Sequence, residues 1–294
     1  MRGVIVIAAA ISLGGCVKSM AVSALGDSLA GEGRAFAEDD DPELVRDASA
    51  FSLKLVESLL ESEPEHPGLL LAATRGFTQY GFAFLQSEAD YIQDDNLARA
   101  KVLRRRAANF YRRARAYGVR GLETEVEHVV DALRKHPKKT LDEFDEDFVP
   151  LLYWTAAAWS AAVALDKDNV EMAADLDLVE AMMARARALD PNYGAGAVHD
   201  WYVAYTAATP GSKPEDVKPH FDAAMAAGKQ QRVSPLVAYA EGVCINTQDK
   251  EQFVALLERA LAFDVDAAPR FRLANLIAQK RARWLLDHID DHFI

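Results

Sequence analysis

The chain has 294 residues, 45 acidic and 33 basic, with a formal net charge of −12. Half the residues are hydrophobic, which suits one large or two smaller globular domains. The acidic balance excludes general nucleic-acid binding, because that needs basic surface to displace counterions.

The first sixteen residues read as a targeting segment. Arg2 is followed by the apolar run Val4 to Leu13, too short for a bilayer span of about 20 residues. Leu13-Gly14-Gly15-Cys16 then resembles the lipobox of bacterial lipoproteins. That resemblance implies a signal peptide over 1–15 and lipidation of Cys16, which becomes the new N-terminus. Buried acyl chains contribute about 0.8 kcal/mol per methylene, so two or three chains hold a protein on a membrane. Val17 in place of aspartate favours the outer membrane by the usual lipoprotein sorting rule. Residues 16–41, rich in Ala, Gly, Ser and Asp, read as a tether.

From Pro42 to the end (42–294) the periodicity is helical. An acidic run and Pro42 mark the start of a helix with an expected apolar stripe of Leu44, Ala48, Phe51, Leu55 and Leu59. Pro64 and Pro67 end it. A second helix runs through Gly68 to Ala89 with Leu71, Thr74, Phe77, Phe84 and Leu85. Asn96 to Glu123 is strongly amphipathic, with Leu103, Ala107, Phe110, Ala114 and Tyr117 on one stripe. Arg99, Arg106, Arg113 and Arg120 border that stripe, and Arg104, Arg105, Arg112 and Arg115 lie further round. This basic face reads either as a surface for an acidic partner or lipid headgroups, or as a solvated face paired with nearby acids. After an acidic loop, helices are predicted at about 148–166, 170–190, 195–209, 214–228, 235–247, 249–264 and 269–292. No segment alternates with period two, so the fold class is all-α, built of antiparallel helix pairs.

Trp201, Ala204, Ala208, Phe221 and Ala224 fall at the spacings of a tetratricopeptide repeat. Ala240, Phe253, Leu257 and Ala260 fit more weakly. The fold expected is therefore a tetratricopeptide-like right-handed superhelix with a concave inner surface. Leu151 to Leu165 is uncharged and carries Trp154 and Trp159, which point about 140° apart on a helix. It reads as a helix apolar all round: either fully enclosed by neighbours or bordering an apolar cavity.

The patches "DDDPELVRDASAFSLKLVESLLESEPEHPGLLLAATRGFTQYGFAFLQSEAD", "LYWTAAAWSAAVALDKD" and "ANLIAQKRARWLLDHIDDHF" resemble the TRAP-transporter-associated TatT family of bacterial lipoproteins. The resemblance covers nearly the whole chain. It implies a periplasmic helical protein with cryptic tetratricopeptide repeats, a homotrimeric assembly, an apolar pore or cleft, and a solute-binding protein of a TRAP transporter as partner. Candidate lining residues for a hydrophobic or amphipathic ligand are Phe77, Tyr80, Phe84, Tyr153, Trp154 and Trp159, with Asn275 and Gln279 as orienting groups. The competing reading is a repeat scaffold for envelope-assembly proteins with no small molecule. His288 and His292 stand four apart beside Asp287 and Asp291, a metal-ligand spacing at an end that frays. Cys244 reads as an apolar packing position. No serine elbow, phosphate loop or cysteine-pair motif occurs, so neither an enzymatic activity nor a cofactor is expected.

Overall fold

The computed structural model describes residues 33–166 and 170–293. The signal peptide, Cys16 and most of the tether lie outside the described residues. Among those described there is no strand. Helix α1 spans Pro42–Ser62, and α2 spans Pro67–Tyr80. Helix α3 is Leu97–Leu122, α4 is Val149–Leu165, α5 is Leu176–Leu189 and α6 is Tyr193–Ala208. Pro214–Ala227 forms α7, Ser234–Tyr239 α8, Lys250–Leu261 α9 and Arg272–Asp287 α10.

Local chemistry explains the boundaries. Asp41 accepts from the backbone N–H groups of Glu43 and Leu44 at 2.9 and 3.0 Å, and Pro42 occupies the first turn, where its missing N–H is not needed. Asn96 caps α3 by accepting from Arg99 N–H at 3.0 Å. Two features were not legible in the residues. Helices α2 and α8 run on as π-helical segments, Gly81–Gln86 and Ala240–Cys244. The stretch after α3 folds into two short helices, Val129–Lys135 and Pro137–Asp142. Arg134 grips Asp175 with two bonds of 2.9 and 2.7 Å and so ties the first of these to the start of α5.

The stripe expected on α1 is displaced. Val45, Leu53, Val56 and Leu60 are buried, whereas Leu44 is 59% and Phe51 71% exposed. Both stripes repeat at three and four, so periodicity alone did not choose between them.

Four apolar clusters run along the chain. Two join α1, α2 and α3 and the helix Ser87–Tyr91, with Ala158 and Ala162 of α4 closing them. A third surrounds α4 and α5, and the fourth lies among α6 to α10. Helices α3 and α4 touch closely. A Cβ on Gly118 would stand 2.2 Å from Thr155 Oγ1, so glycine is required there. The last helix returns to the first ones. Arg272 donates to the Glu38 carbonyl at 2.7 Å, and Tyr91 and Trp284 lie 5.7 Å apart.

Candidate functional site

Helix α4 is two-sided in its burial although it is apolar all round. Leu152, Thr155, Ala156, Ala158, Trp159 and Ala162 are 0% exposed. Tyr153, Trp154, Ala157, Ser160 and Ala161 are half-buried, and Ala164 is exposed. At 100° per residue these fall on one arc. Trp154 and Trp159 thus do point apart, one to an accessible edge and one inward. The covering helices are α3 and α5, with α2 packing at Ala158, and α6 approaches the accessible arc.

Helix α6 adds more aromatic surface there. Trp201 donates from Nε1 to Ser160 Oγ at 3.0 Å, pinning its ring to α4. Tyr205 stacks on Trp201 at 4.4 Å, and Tyr193 lies 5.2 Å from Tyr153. Tyr153 in turn meets Trp154 edge-on at 5.0 Å. The result is a half-buried aromatic face shared by α4 and α6, each ring keeping an accessible edge. Such rings offer large contact area with little entropy to lose.

A buried ion pair supports this face from beneath. Arg232 pairs with Asp200 of α6 and donates to the Ala195 carbonyl at 3.0 Å. Ala195 sits between Gly194 and Gly196, and all three have positive φ, so α6 opens on a left-handed turn. Gly196 is doubly constrained, by φ of 93° and by Ala227 of α7, 3.0 Å from where a Cβ would stand. Burial raises the Asp200 carboxyl against the pull of Arg232 and the Ser234 hydroxyl. Burial also raises the Tyr153 phenol, with Asp200 adding to the effect. Nearby, His199 and His220 face each other with Nδ1 atoms 3.4 Å apart, and His220 stacks on Tyr202 at 4.6 Å. Burial and the Arg187 charge lower both imidazoles, and each favours the neutral ring.

The eight expected lining residues do not converge. Phe77 packs against Phe110 at 5.2 Å and Tyr117 at 5.9 Å, under the Arg113 guanidinium. Tyr80 stacks on Phe110 at 5.4 Å and meets Phe84 at 5.3 Å, and both Tyr80 and Phe84 keep an accessible edge. Trp159 lies under Arg115, 3.6 Å from the ring centre. Phe77, Trp159 and Asn275, at 1%, 0% and 1% exposure, touch almost no water-sized space, internal or external. Asn275 accepts from Val233 N–H at 3.1 Å and donates to the Gln231 carbonyl at 2.9 Å. Gln279 donates to the Ala260 and Phe263 carbonyls at 3.0 and 2.8 Å. Both amides therefore hold loops. Tyr193, Trp201, Tyr205, Asp200 and Arg232 were missed as site residues. Trp201 and Tyr205 carried a signal, two large rings four apart, that repeat matching absorbed as packing.

Two surface hollows lie elsewhere. One, of about 450 Å³, is lined by polar groups including His128, Asp131, Lys135 and Glu143, and the other, of about 420 Å³, by Glu63 to His66. None of the eight expected residues borders either. The metal spacing at the C-terminus dissolves because α10 ends at Asp287, so His288 and His292 share no helical face. His288 stacks on Trp284 at 4.5 Å instead. Among the described residues no three His, Cys, Asp or Glu side chains gather as a metal site. Cys244 is buried, and burial pushes its thiol up to about 12.

A family model described as "TRAP transporter T-component" matches residues 38–293. A protein of Treponema pallidum (strain Nichols), described as uncharacterized, is 31% identical over 268 residues, covering 89% of this chain and 83% of the relative.

Proposed function

The chain belongs to the TRAP transporter T-component family, and from that premise we propose that it is a lipid-anchored periplasmic accessory of a TRAP-type transport system that docks a solute-binding protein. The family is one of transport accessories and not a known enzyme family. Docking uses the half-buried aromatic face of α4 and α6, and a hydrophobic or amphipathic ligand passes along the same face. Tyr153 and Trp154, joined by Trp201 and Tyr205, make the contact, with Tyr80 and Phe84 at a second accessible aromatic edge. The observation that carries this reading is the two-sided burial of α4. An uncharged helix with tryptophan on an accessible arc is costly to leave in water and typical of a binding surface.

The helical body forms a tetratricopeptide-like superhelix in this reading. The close α6–α7 crossing at Gly196, Ala224 and Ala227 supports it. The exposed Leu44 and Phe51 on α1 supply the apolar stripe that a second copy covers in a homotrimer. Cys16 supplies the anchor, in the inner leaflet of the outer membrane.

The test is binding of the cognate solute-binding protein, identified by co-purification from the native envelope. Trp154→Ala and Trp201→Ala should each raise the Kd about 30-fold, since interface hot-spot tryptophans cost about 2 kcal/mol each on truncation. An unchanged Kd in a variant with unchanged thermal stability sinks the assignment of this face. Failure of the solute-binding protein to bind the parent chain at all sinks the partnership.

A further inference from the structure

The basic side chains of helix α3 fall into two groups. Arg104 pairs with Asp90 at 2.9 Å and with Gln93 at 2.7 Å. Arg112 pairs with Asp166 at 2.9 Å, and Arg113 pairs with Glu57. Arg120 donates to the Pro64 carbonyl at 2.6 Å, and Arg115 covers Trp159. These side chains serve packing. Arg99, Lys101, Arg105 and Arg106 do not. All four are exposed, and among the described residues no ion pair or side-chain hydrogen bond engages them. At 100° per residue they span an arc of roughly 160°, with Val102 in its middle. Val102 is 45% exposed, and Leu97 at the arc's margin 53%. No acidic residue occurs from Leu97 to Arg120; Asp94 and Asp95 lie just before the helix.

We propose that the exposed face of Arg99, Lys101, Val102, Arg105 and Arg106 docks the protein on an anionic phospholipid surface. Four unneutralised cations on two turns are conspicuous in a chain of net charge −12. Arginine and lysine near an anionic bilayer attract it without geometric fit, and small apolar side chains among them enter the headgroup layer. The face is the convex side of one helix, with flexible stems spread across it. It suits a diffuse planar layer of charge better than the shaped surface of an acidic protein.

The face is also open. Arg104, held by Asp90 at 2.9 Å, projects about 160° round α3 from Val102, so the basic face looks away from the side on which the Ser87–Tyr91 helix packs. The face is argued from its own residues and does not rest on the anchor proposed above.

The test uses residues 33–294, which contain all four apolar clusters and lack Cys16, so any membrane affinity is independent of acylation. Co-sedimentation with phosphatidylcholine vesicles containing about 30% phosphatidylglycerol, against pure phosphatidylcholine, reads the partition coefficient at low and high salt. Binding is expected only to the anionic vesicles and should vanish at high salt. R99Q with R105Q and R106Q should lower partition at least tenfold, the corresponding lysine substitutions should preserve it, and V102S should lower it a few-fold. Equal partition of the triple glutamine variant and the parent, with matching thermal melts, overturns the proposal. So does partition that ignores phosphatidylglycerol. A photoreactive side chain in place of Val102 in the full chain should label phospholipid in native envelopes; labelling of a single acidic protein instead overturns it.

Discussion

Removing Arg232 tests whether the aromatic face stands on its buried ion pair. Its side chain is 13% exposed and that of Asp200 17%, so neither charge is well hydrated. Arg232→Ala leaves Asp200 with only the Ser234 hydroxyl at 3.3 Å, while its Oδ1 has no partner among the described residues even in the parent. Stripping one partner from a buried pair costs about 3–5 kcal/mol. For a helical body of this size each kcal/mol moves the melting temperature by about 2–4 °C, so a fall of about 6–20 °C is expected. The deficit carries a pH signature. Burial already raises the folded Asp200 above its unfolded value, and losing Arg232 raises it further. An acid raised on folding adds stability that is full below its unfolded pKa and is lost as pH rises through the folded one. Arg232→Ala should therefore lag the parent least in acid and most at neutral pH. Replacing both partners, Asp200→Leu with Arg232→Met, should recover most of the loss, because two apolar groups leave no charge stranded. Denaturation by heat and urea at about pH 5 and about pH 8 decides the matter. A deficit below about 1 kcal/mol, or one indifferent to pH, refutes the claim that this pair is buried and interdependent.

Three further outcomes follow from the packing. Gly118→Ala gains about 1 kcal/mol of helix propensity yet meets Thr155 head-on, and overpacking costs about 1–3 kcal/mol. It should melt lower than the parent, and adding Thr155→Ala should restore part of the loss; an additive double variant denies the contact. His199 and His220 are lowered by burial and Arg187, so the unfolded chain binds more protons than the folded one. Their stability contribution is full above the ordinary histidine pKa and is lost as pH falls towards the lowered folded values. His220→Gln should flatten that decline in pH-dependent melts. At pH 8 the Cys244 thiol, raised to about 12, holds about one thiolate in ten thousand. Residues 33–294 contain no other cysteine, so a disulfide reagent should label this body only as it unfolds, at a rate that tracks unfolding and ignores reagent concentration.

The helical class and most boundaries were legible because their signals are local. Asp41-Pro42, His66-Pro67 and Asn96 start helices by satisfying or omitting N–H groups within three residues. The π-helical runs at Gly81–Gln86 and Ala240–Cys244 were not legible, since one extra residue in a turn leaves composition untouched. The choice between the Leu44–Phe51 stripe and the Val45–Leu53–Val56 stripe depended on which neighbour arrives, a matter of tertiary contact. The site divides in the same way. Tyr153 and Trp154 could be picked out because an uncharged helix with large rings is rare in so charged a chain. Arg232 could not, since an arginine in "KQQRVSP" announces nothing until the loop brings it to Asp200, 32 residues away in sequence.

The two faces at α3 and α4 set opposite demands on one helical stack. Gly118 and Gly121 bring α3 against α4 so closely that α3 covers one side of the apolar helix. That covering turns Trp159 inward under Arg115 and leaves Trp154 at an accessible edge. Arginine serves both tasks because its long stem covers apolar surface while its guanidinium stacks or pairs at the margin. In the later turns Arg112 and Arg115 are drawn to the α4 side, and Arg113 and Arg120 to Glu57 of α1 and the Pro64 carbonyl after it. In the first turns the one acid that comes close, Asp90, engages Arg104, and Arg99, Arg105 and Arg106 stay in solvent. A helix with the same arginine content but acids opposite its first turns would seal equally well and lose the unpaired basic face. The aromatic face and the basic face can therefore be altered separately, and a variant that abolishes vesicle partition should leave solute-binding-protein affinity intact.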